Sequence, residues 1–437
     1  MASTWIKRDL SVSETVYKYT WSAWIKRGSL GVAGDLFKTR ADSNNWVQAY
    51  LHADNSMVLQ SYKNGGYHYD FKTTQKFRDT TGWYHFVFNV DSSPSTAGDR
   101  VRMYVNGERI TSFETSNNNL TNGDSLIING SDSGQAHTIG SWNNGSYFDG
   151  CMSHVHYSSG YSYAPTVFGE TDATTGEWKI NTNPTFTLGG NGYTVLKDGN
   201  TITDQSSNSN DFTVGGGTLT KTEDCPSNVF PTLNPLLTHA AHGYSLTYGL
   251  GNNKITFNEP STWTYTTSTI AGINGKFYAE FKIDAVGSES SIGVIASDTV
   301  NANQTSGGLD DYLGKETDSI GYLNDGRTFK NNSAQQTGLT AISAGNILGV
   351  ALDTENNTCQ FYINGSSSGN PVSLTADKFY HFGVSGYNGT QISCNFGNGY
   401  FGTTAVSSAG TNASGIGIFE FDVPTNYRAL STKGLNL

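Results

Sequence analysis

The amino-acid sequence predicts an all-β protein made of two antiparallel β-sandwiches joined by a short β-rich connector. The chain has 437 residues, enough for about two to four domains of ordinary size. Its apolar residues form short runs or alternate with polar ones, as in 84–90 and 277–283, a pattern typical of half-buried strands. Only 14% of the residues are charged and 51 are Gly, which indicates strands linked by tight turns.

Two Asn-Gly pairs are the strongest local signal. Asn106-Gly107 and Asn364-Gly365 each follow an apolar run. Both residue types tolerate a positive φ, which a two-residue type I′ turn requires. The pairs lie too far apart for a solenoid repeat, so we predict one β-hairpin in each sandwich.

Composition along the chain indicates the domain boundaries. We predict a first sandwich over residues 1–168, a connector with short strands over 169–245, a second sandwich over 246–402 and a C-terminal extension over 403–437. The connector is rich in Gly, Asn and Ser, but its apolar residues are too frequent for a free linker. We expect the extension to dock loosely or to lead to a partner.

Charge and cysteine content argue against several classes of protein. The net charge is −11 and no basic run occurs, which argues against nucleic acid as the main partner. The sequence has no apolar run of the roughly 18 residues needed for membrane insertion, and no secretory signal, so we expect synthesis in a reducing cytoplasm. The cysteines are widely spaced, and we interpret them as buried residues or free thiols: Cys151, Cys225, Cys359 and Cys394.

Three motifs mark the first sandwich: Trp83-Tyr84-His85, Tyr104-Val105-Asn106-Gly107 and Phe148-Asp149-Gly150. With these motifs in this order, the first 168 residues resemble a concanavalin A-like lectin/glucanase domain of the laminin-G-like type. The resemblance implies a jelly roll of two antiparallel sheets.

The second sandwich carries another set of motifs, at 275–281, 292–295, 345–353 and 361–365. With them, residues 246–402 resemble a SPRY domain, which is also a β-sandwich. Asn346 stands where this family commonly has Asp, a departure that leaves the implied fold unchanged.

Four segments outside these motifs, 168–179, 204–212, 226–235 and 424–432, resemble a family of structural proteins from tailed bacteriophages. Members of that family pair a laminin-G-like sandwich with a SPRY-like one. The resemblance implies a virion location, with other virion proteins as partners and a homo-oligomer on the particle.

We expect a tail-fibre or receptor-binding adhesin that attaches to a host-surface glycan or protein through the loops of its sandwiches. Two alternatives stay open: a capsid-surface decoration or cement protein, and a polysaccharide-degrading tail enzyme. We expect no enzymatic activity, because the paired-carboxylate string of laminarinase-type enzymes is missing. Glu280 and Asp284, the nearest carboxylates, are interpreted as the exposed face of a strand.

Loops at the ends of the sandwiches supply the candidate binding residues, because aromatic rings stack on sugars and polar side chains bond their hydroxyls. The candidates are Tyr67, His68, Tyr69, Trp142, Asn143 and Tyr147 in the first sandwich, and Asp310, Asp311, Tyr312, Tyr322 and Arg327 in the second. The alternative is that these aromatic residues pack the sandwich edges or a neighbouring subunit.

We predict no cofactor and no metal site. His154 and His156 alternate along a strand and could bind a metal, but no third ligand lies nearby in the sequence. Asp310, Asp311, Glu316 and Asp318 could bind calcium but lack the order of a calcium-binding loop, so we interpret them as a solvated acidic loop.

Overall fold

Strands dominate the computed structural model, which describes residues 3–10, 14–129, 136–141, 145–197, 201–237, 246–306 and 311–436. The predicted all-β class is confirmed. The chain divides into two compact units, unit 1 (Met1–Lys221) and unit 2 (Thr222–Leu437). In these described ranges, no helix combines the length and apolar character needed to cross a bilayer.

Unit 1 is a sandwich of two antiparallel sheets. Its strands are β1 (Trp5–Arg8), β2 (Lys18–Arg27), β3 (Gly34–Asp42), β4 (Asn45–Leu51), β5 (Ser56–Lys63), β6 (Gly66–Lys76), β7 (Tyr84–Asp91), β8 (Val101–Val105), β9 (Glu108–Arg109), β10 (Phe113–Asn118), β11 (His137–Ile139), β12 (Gly150–Ser159), β13 (Gly169–Thr171), β14 (Trp178–Ile180), β15 (Tyr193–Val195) and β16 (Thr213–Gly216). Short 3₁₀ turns occur at Ala97–Asp99 and Pro165–Val167. Sheet A1 has the order β10-β6-β5-β4-β3-β11-β1-β16, sheet B1 has the order β15-β12-β2-β7-β8-β9, and β13 pairs with β14.

Aromatic side chains fill the space between sheets A1 and B1. Trp21 is fully buried, with its ring stacked 5.7 Å from that of Phe37 and 5.3 Å from that of Phe88. Each large side chain buried in this way contributes about 1.5–3 kcal/mol of hydrophobic free energy. Trp21 therefore joins both sheets through one contact network.

Residues 169–221, which we predicted as part of a connector, complete unit 1. Strand β15 pairs with β12 and β16 pairs with β1, so both strands extend the sheets. Tyr193 and Val195 are fully buried in the core and Phe212 is 3% exposed. The first sandwich thus extends beyond residue 168, because its sheets and its core take strands and side chains from the residues that follow.

Asp204 organises this added segment. Its carboxylate accepts hydrogen bonds from the backbone N–H groups of Thr194 at 2.8 Å, Ser206 at 3.0 Å and Asn210 at 2.8 Å. The Arg8 guanidinium donates to Asn210 Oδ1 at 2.9 Å and so ties the segment to β1. The sequence motif at 204–212 therefore serves the local fold of unit 1.

Unit 2 is a second sandwich. Its strands are β17 (Leu246–Gly249), β18 (Lys254–Phe257), β19 (Thr264–Gly272), β20 (Lys276–Ala285), β21 (Ser290–Ala296), β22 (Ser319–Leu323), β23 (Arg327–Lys330), β24 (Ser333–Gln336), β25 (Ile347–Asp353), β26 (Thr358–Ile363), β27 (Ser366–Ser373), β28 (Tyr380–Gly386), β29 (Gln391–Asn395), β30 (Tyr400–Phe401), β31 (Thr404–Ala405) and β32 (Arg428–Ala429), with helices α1 (Ser297–Ser306) and α2 (Thr432–Leu435). Sheet A2 has the order β17-β18-β29-β20-β25-β26-β27, and sheet B2 has the order β19-β28-β21-β22-β23-β24.

The extension predicted at 403–437 was expected to dock loosely or to lead to a partner, but its described residues, 403–436, are packed into unit 2. Strand β32 adds to β20 in parallel, and β30 pairs with β31. Phe419, Ala429 and Leu430 are at most 1% exposed. The C-terminal residues therefore belong to the second sandwich.

Glu280, in the middle of β20, lies beneath these C-terminal residues and is fully buried. Its carboxylate accepts hydrogen bonds from the backbone N–H groups of Glu420 at 2.8 Å and Phe421 at 2.9 Å. Burial raises the pKa of this carboxyl to about 7. The prediction that Glu280 lies on an exposed face is wrong, because residues 420–421 cover that face.

Both predicted Asn-Gly hairpins are confirmed. The φ angles are 47° and 82° in Asn106-Gly107, and 48° and 80° in Asn364-Gly365. In each hairpin the Asn side-chain oxygen also accepts a backbone N–H from the strand before it, that of His85 at 2.8 Å and that of Ile347 at 2.9 Å. The turn residue thus fixes the neighbouring strand as well as the hairpin.

We expect a fragment of residues 1–221 to fold as an isolated chain and a fragment of residues 1–168 to remain unfolded. The shorter fragment lacks β15 and β16. Loss of one large buried side chain alone lowers the free energy of unfolding by about 2–5 kcal/mol. Near-UV circular dichroism and urea unfolding of both fragments test this. Equal unfolding midpoints for the two fragments would contradict it.

Candidate functional site

The outer face of sheet A1 presents an ordered set of aromatic and polar side chains. Successive side chains of a strand point to opposite faces of a sheet. On β4, Val47 and Ala49 point into the core, so Trp46, Gln48 and Tyr50 point outward and remain partly exposed. These residues were not among the predicted binding residues, although their alternation with apolar residues is the signal that marks an outer face.

An aromatic row crosses this face. Trp46 lies opposite Tyr62, and Tyr62 lies opposite Tyr67. The Trp46 and Tyr62 rings are stacked with centroids 5.4 Å apart, and the Tyr67 ring meets Tyr62 edge-on at 5.3 Å. The ammonium group of Lys38 lies 4.8 Å from the Trp46 ring centroid. The row therefore ends on Tyr67, whose side chain is 43% exposed.

A polar row runs beside the aromatic row. Gln48 lies opposite Gln60, and Gln60 lies opposite Asp70 and donates to its carboxylate at 2.9 Å. All three residues are partly exposed. We call the two rows, together with Tyr50, the aromatic–amide face: Trp46, Gln48, Tyr50, Gln60, Tyr62, Tyr67 and Asp70.

Two buried charged groups border the aromatic–amide face. Asp35 is 1% exposed, and burial raises its pKa to about 6. Lys38 is 3% exposed, and burial lowers its pKa to about 8. The Gln48 side chain links them, since its amide N–H donates to Asp35 Oδ1 and its carbonyl accepts from Lys38 Nζ at 3.4 Å. Gln48 is thus held in one orientation, with its exposed edge toward solvent.

The predicted triplet at 67–69 splits between surface and interior. Tyr67 lies on the aromatic–amide face, whereas His68 is only 8% exposed and its Nε2 lies 3.2 Å from Asp124 Oδ2. Tyr69 points into the core, where its hydroxyl lies 2.7 Å from that of Tyr19. The register of β5 and β6 shifts between Ser61 and Tyr62, so Tyr67 and Tyr69, although two positions apart, face opposite sides of the sheet, and Tyr69 is unavailable to a ligand.

The second predicted loop of unit 1 approaches the same face. Tyr147 is partly buried and its backbone forms a bridge with that of Asp35. The neighbouring Ser146 carbonyl accepts the Asp35 backbone N–H at 2.8 Å. Trp142 and Asn143 lie outside the described residues.

A second aromatic group lies at one end of sheet B2 in unit 2. The Trp263 ring is 5.2 Å from Tyr387 and 5.1 Å from Tyr312, and the Tyr312 ring is 5.8 Å from Phe329. All four side chains are partly exposed, and we call them the Trp263 cluster. The Arg327 guanidinium lies 5.1 Å from the Phe329 ring centroid.

The predicted binding residues of the second sandwich have different surroundings. Tyr312 belongs to the Trp263 cluster, Arg327 borders it, and Asp311 is paired with a lysine of its own loop. Tyr322 is fully buried, because it faces the core from the middle of sheet B2. It therefore cannot serve as a surface contact. Asp310 lies outside the described residues.

His154 and His156 are both buried, in a strand whose register shifts between Ser153 and His156. His156 Nδ1 lies 2.9 Å from Thr194 Oγ1, and its ring stacks on Phe168 at 5.4 Å. Within the described ranges, no group of three or more His, Cys, Asp and Glu side chains is placed to hold a metal ion.

His85 is fully buried on the outer face of sheet B1. Its Nδ1 accepts the Trp178 indole N–H at 3.0 Å, and its Nε2 lies 2.8 Å from Ser22 Oγ. Burial lowers the pKa of His85 to about 3, so the ring stays neutral near pH 7. The hairpin β13–β14, which carries Trp178, therefore acts as a cover for this part of the sheet.

Known families match both sandwiches. A family model described as the concanavalin A-like lectin/glucanases superfamily matches residues 6–167, and a SPRY domain model matches residues 276–399. No curated protein matches the sequence. These matches agree with the two domain resemblances and do not extend to the bacteriophage resemblance.

Several solved structures are similar to part of the chain. The SPRY domain of human HERC1 has 18% identity and a TM-score of 0.26, covering 32% of this chain and 87% of that one. The TRIM65 PSpry domain has 14% identity and a TM-score of 0.29, covering 38% of this chain and 91% of that one. Domain 4 of AbnA, a GH43 extracellular arabinanase from Geobacillus stearothermophilus in complex with arabinotriose, has 23% identity and a TM-score of 0.28, covering 38% of this chain and 71% of that one.

We expect unit 1 to lose stability as the pH falls from about 6.5 to about 5. Burial lowers the pKa of His85 and His137 to about 3 and that of His156 well below its usual value. Each such histidine is protonated more readily in the unfolded chain. The free energy of unfolding therefore falls by about 1.4 kcal/mol for each pH unit below the pKa of that histidine in the unfolded chain. Asp35 acts in the opposite direction, because its raised pKa favours the fold as the pH falls through 6.

Thermal unfolding followed by tryptophan fluorescence measures this effect, since Trp263 is the one tryptophan of unit 2 and the other seven of the chain's 8 lie in unit 1. The unfolding temperature of the variant His137→Gln should change less steeply with pH than that of the unchanged chain. An unfolding temperature that stays constant over this pH range would contradict the expectation.

Proposed function

We propose that this chain, in which a concanavalin A-like domain precedes a SPRY domain, is a non-enzymatic binding protein that recognises carbohydrate. The observation that carries the proposal is the aromatic–amide face, where a row of three aromatic rings runs beside a row of two amides and a carboxylate. Rows on one face of a strand are about 7 Å apart, so one pyranose ring can meet both.

The side chains of this face match the two kinds of surface on a sugar. Gln48, Gln60 and Asp70 supply donors and acceptors for hydroxyl groups. Tyr67 supplies an exposed ring for the C–H face of a pyranose. Because Gln48 is already held by Asp35 and Lys38, little side-chain entropy is lost on binding, which supports recognition by a preformed site.

The spacing of the carboxylates supports binding without hydrolysis. Glycosidases use two carboxylates about 5–10 Å apart across the scissile bond. Asp35 lies on β3 and Asp70 on β6, three strand spacings away, which amounts to about 14 Å. We therefore expect no release of reducing ends from a bound polysaccharide.

We place this binding activity on a bacteriophage particle, as a tail-fibre or receptor-binding adhesin that attaches to a host-surface glycan. The support is the sequence resemblance of the segments at 168–179, 204–212, 226–235 and 424–432. Display of many copies, together with other virion proteins, would convert modest affinity for each sugar into firm attachment. A capsid-surface decoration protein is the alternative role.

We expect Tyr67→Ala and Gln60→Ala to weaken carbohydrate binding by about ten-fold each, equivalent to about 1.4 kcal/mol. The measurement is titration calorimetry of the full chain with the best binder from a panel of purified bacterial surface polysaccharides. Tyr161→Ala and Gln75→Ala are matched controls, since Tyr161 is also 43% exposed and Gln75 is an exposed residue at the end of β6. If the control variants lose affinity equally, the aromatic–amide face is not the site.

Immunogold electron microscopy of purified phage particles tests the location. We expect gold on fibres or on the tail tip. Gold scattered over the head would favour the decoration role, and particles without gold would refute the virion assignment while leaving the carbohydrate site open.

A further inference from the structure

The Trp263 cluster lies where three neighbouring strands of sheet B2 end together. Gly386, the last residue of β28, pairs with the first residue of β19 on one side and the first residue of β21 on the other. The next residues beyond these ends are Trp263, Tyr387 and Glu289. The register therefore brings an indole, a phenol and a carboxylate together at one end of the sheet.

A loop of unit 2 brings a third ring to the same place. Ser385 of β28 and Ser291 of β21 both bond the backbone of Leu313 on the outer face of sheet B2, at 3.2 Å and 2.8 Å. Tyr387 and Glu289 lie two positions from these serines, just past the strand ends, and the contact between their side chains shows that they lie together. Tyr312 precedes Leu313, and its ring meets Trp263 at 5.1 Å.

Glu289 gives this aromatic site a negative charge. Its Oε2 accepts a hydrogen bond from the Tyr387 hydroxyl at 3.4 Å, and it is only partly exposed. In the described part of the chain no lysine or arginine forms an ion pair with Glu289, whereas Asp311 is paired with Lys315 and Asp325 with Arg327. Arg327, which borders the cluster, interacts with Glu289 electrostatically without forming an ion pair. Glu289 therefore faces the rings with no salt-bridge partner among the described residues.

We propose that Trp263, Tyr312, Tyr387 and Glu289 form a binding site for an organic cation, an ammonium or guanidinium group that carries carbon substituents. The faces of aromatic rings attract cations, and Trp is the strongest of the three ring types in this respect. Glu289 supplies the opposite charge. Neutral sugars and anions lack this complementarity, so the site is separate in chemistry and in domain from the aromatic–amide face.

Indole N–H signals in a ¹⁵N–¹H correlation spectrum of the full chain test the proposal. Substitution of Trp263 by Phe assigns the Trp263 signal. Choline and Nα-acetylarginine amide, added at constant ionic strength, should shift that signal in the millimolar range. The uncharged analogue 3,3-dimethylbutan-1-ol, which has the shape of choline without its charge, should leave the signal in place.

The two cations distinguish the source of the ligand. Tighter binding of choline indicates a quaternary ammonium head group, and tighter binding of the arginine derivative indicates a side chain of a partner protein. A Trp263 signal that moves with neither cation, or equally with the uncharged alcohol, overturns the proposal.

The variant Glu289→Gln removes the charge without changing the shape of the side chain, and we expect it to weaken cation binding at least about five-fold. Glu355→Gln, which changes an exposed carboxylate elsewhere in unit 2, is the matched control and should bind as the unchanged chain does. The Trp263 indole signal itself, recorded before any cation is added and compared with that of the unchanged chain, reports whether unit 2 of each variant is folded. Equal binding by a folded Glu289→Gln variant would also overturn the proposal.

Discussion

Strands β7 and β20 carry polar side chains that point away from the sandwich core and are nevertheless buried. The rest of each unit depends on how these polar groups are covered. His85 and Asn89 lie on β7, and Glu280 lies on β20. A buried polar group without a partner costs about 1–3 kcal/mol. Trp178 bonds His85, the Tyr163 carbonyl accepts the Asn89 amide, and the backbone at 420–421 bonds Glu280.

This requirement decides how far each domain extends. Unit 1 needs the residues that carry Tyr163 and Trp178, and unit 2 needs its C-terminal residues, although neither stretch resembles the core of a sandwich. The buried groups of the two units also change the stability of the fold in opposite directions as the pH changes. Neutral buried histidines favour the fold at higher pH, whereas Glu280, with a pKa near 7, favours it at lower pH.

Covering these faces also determines where a ligand can bind. The outer face of sheet B1 is occupied by the unit's own residues, while Gln60 and Tyr67 on sheet A1 keep exposed surface. In unit 2, Trp263, Tyr312 and Tyr387 lie at the end of sheet B2, beyond the strands. Both candidate sites thus use side chains that are not needed to cover a sheet.

The sequence by itself determined the all-β class and the two Asn-Gly hairpins, because the alternation along a strand and turn chemistry are local properties. Tyr69 and Tyr322, which were predicted in loops, lie in strands β6 and β22 and face the core, a direction that alternation alone does not specify. Alternation also cannot tell whether the second side is covered, as the burial of Glu280 by residues 140 positions away shows. The rows of the aromatic–amide face and the meeting of Trp263, Tyr387 and Glu289 were decided by strand register, which is set only when the sheets assemble.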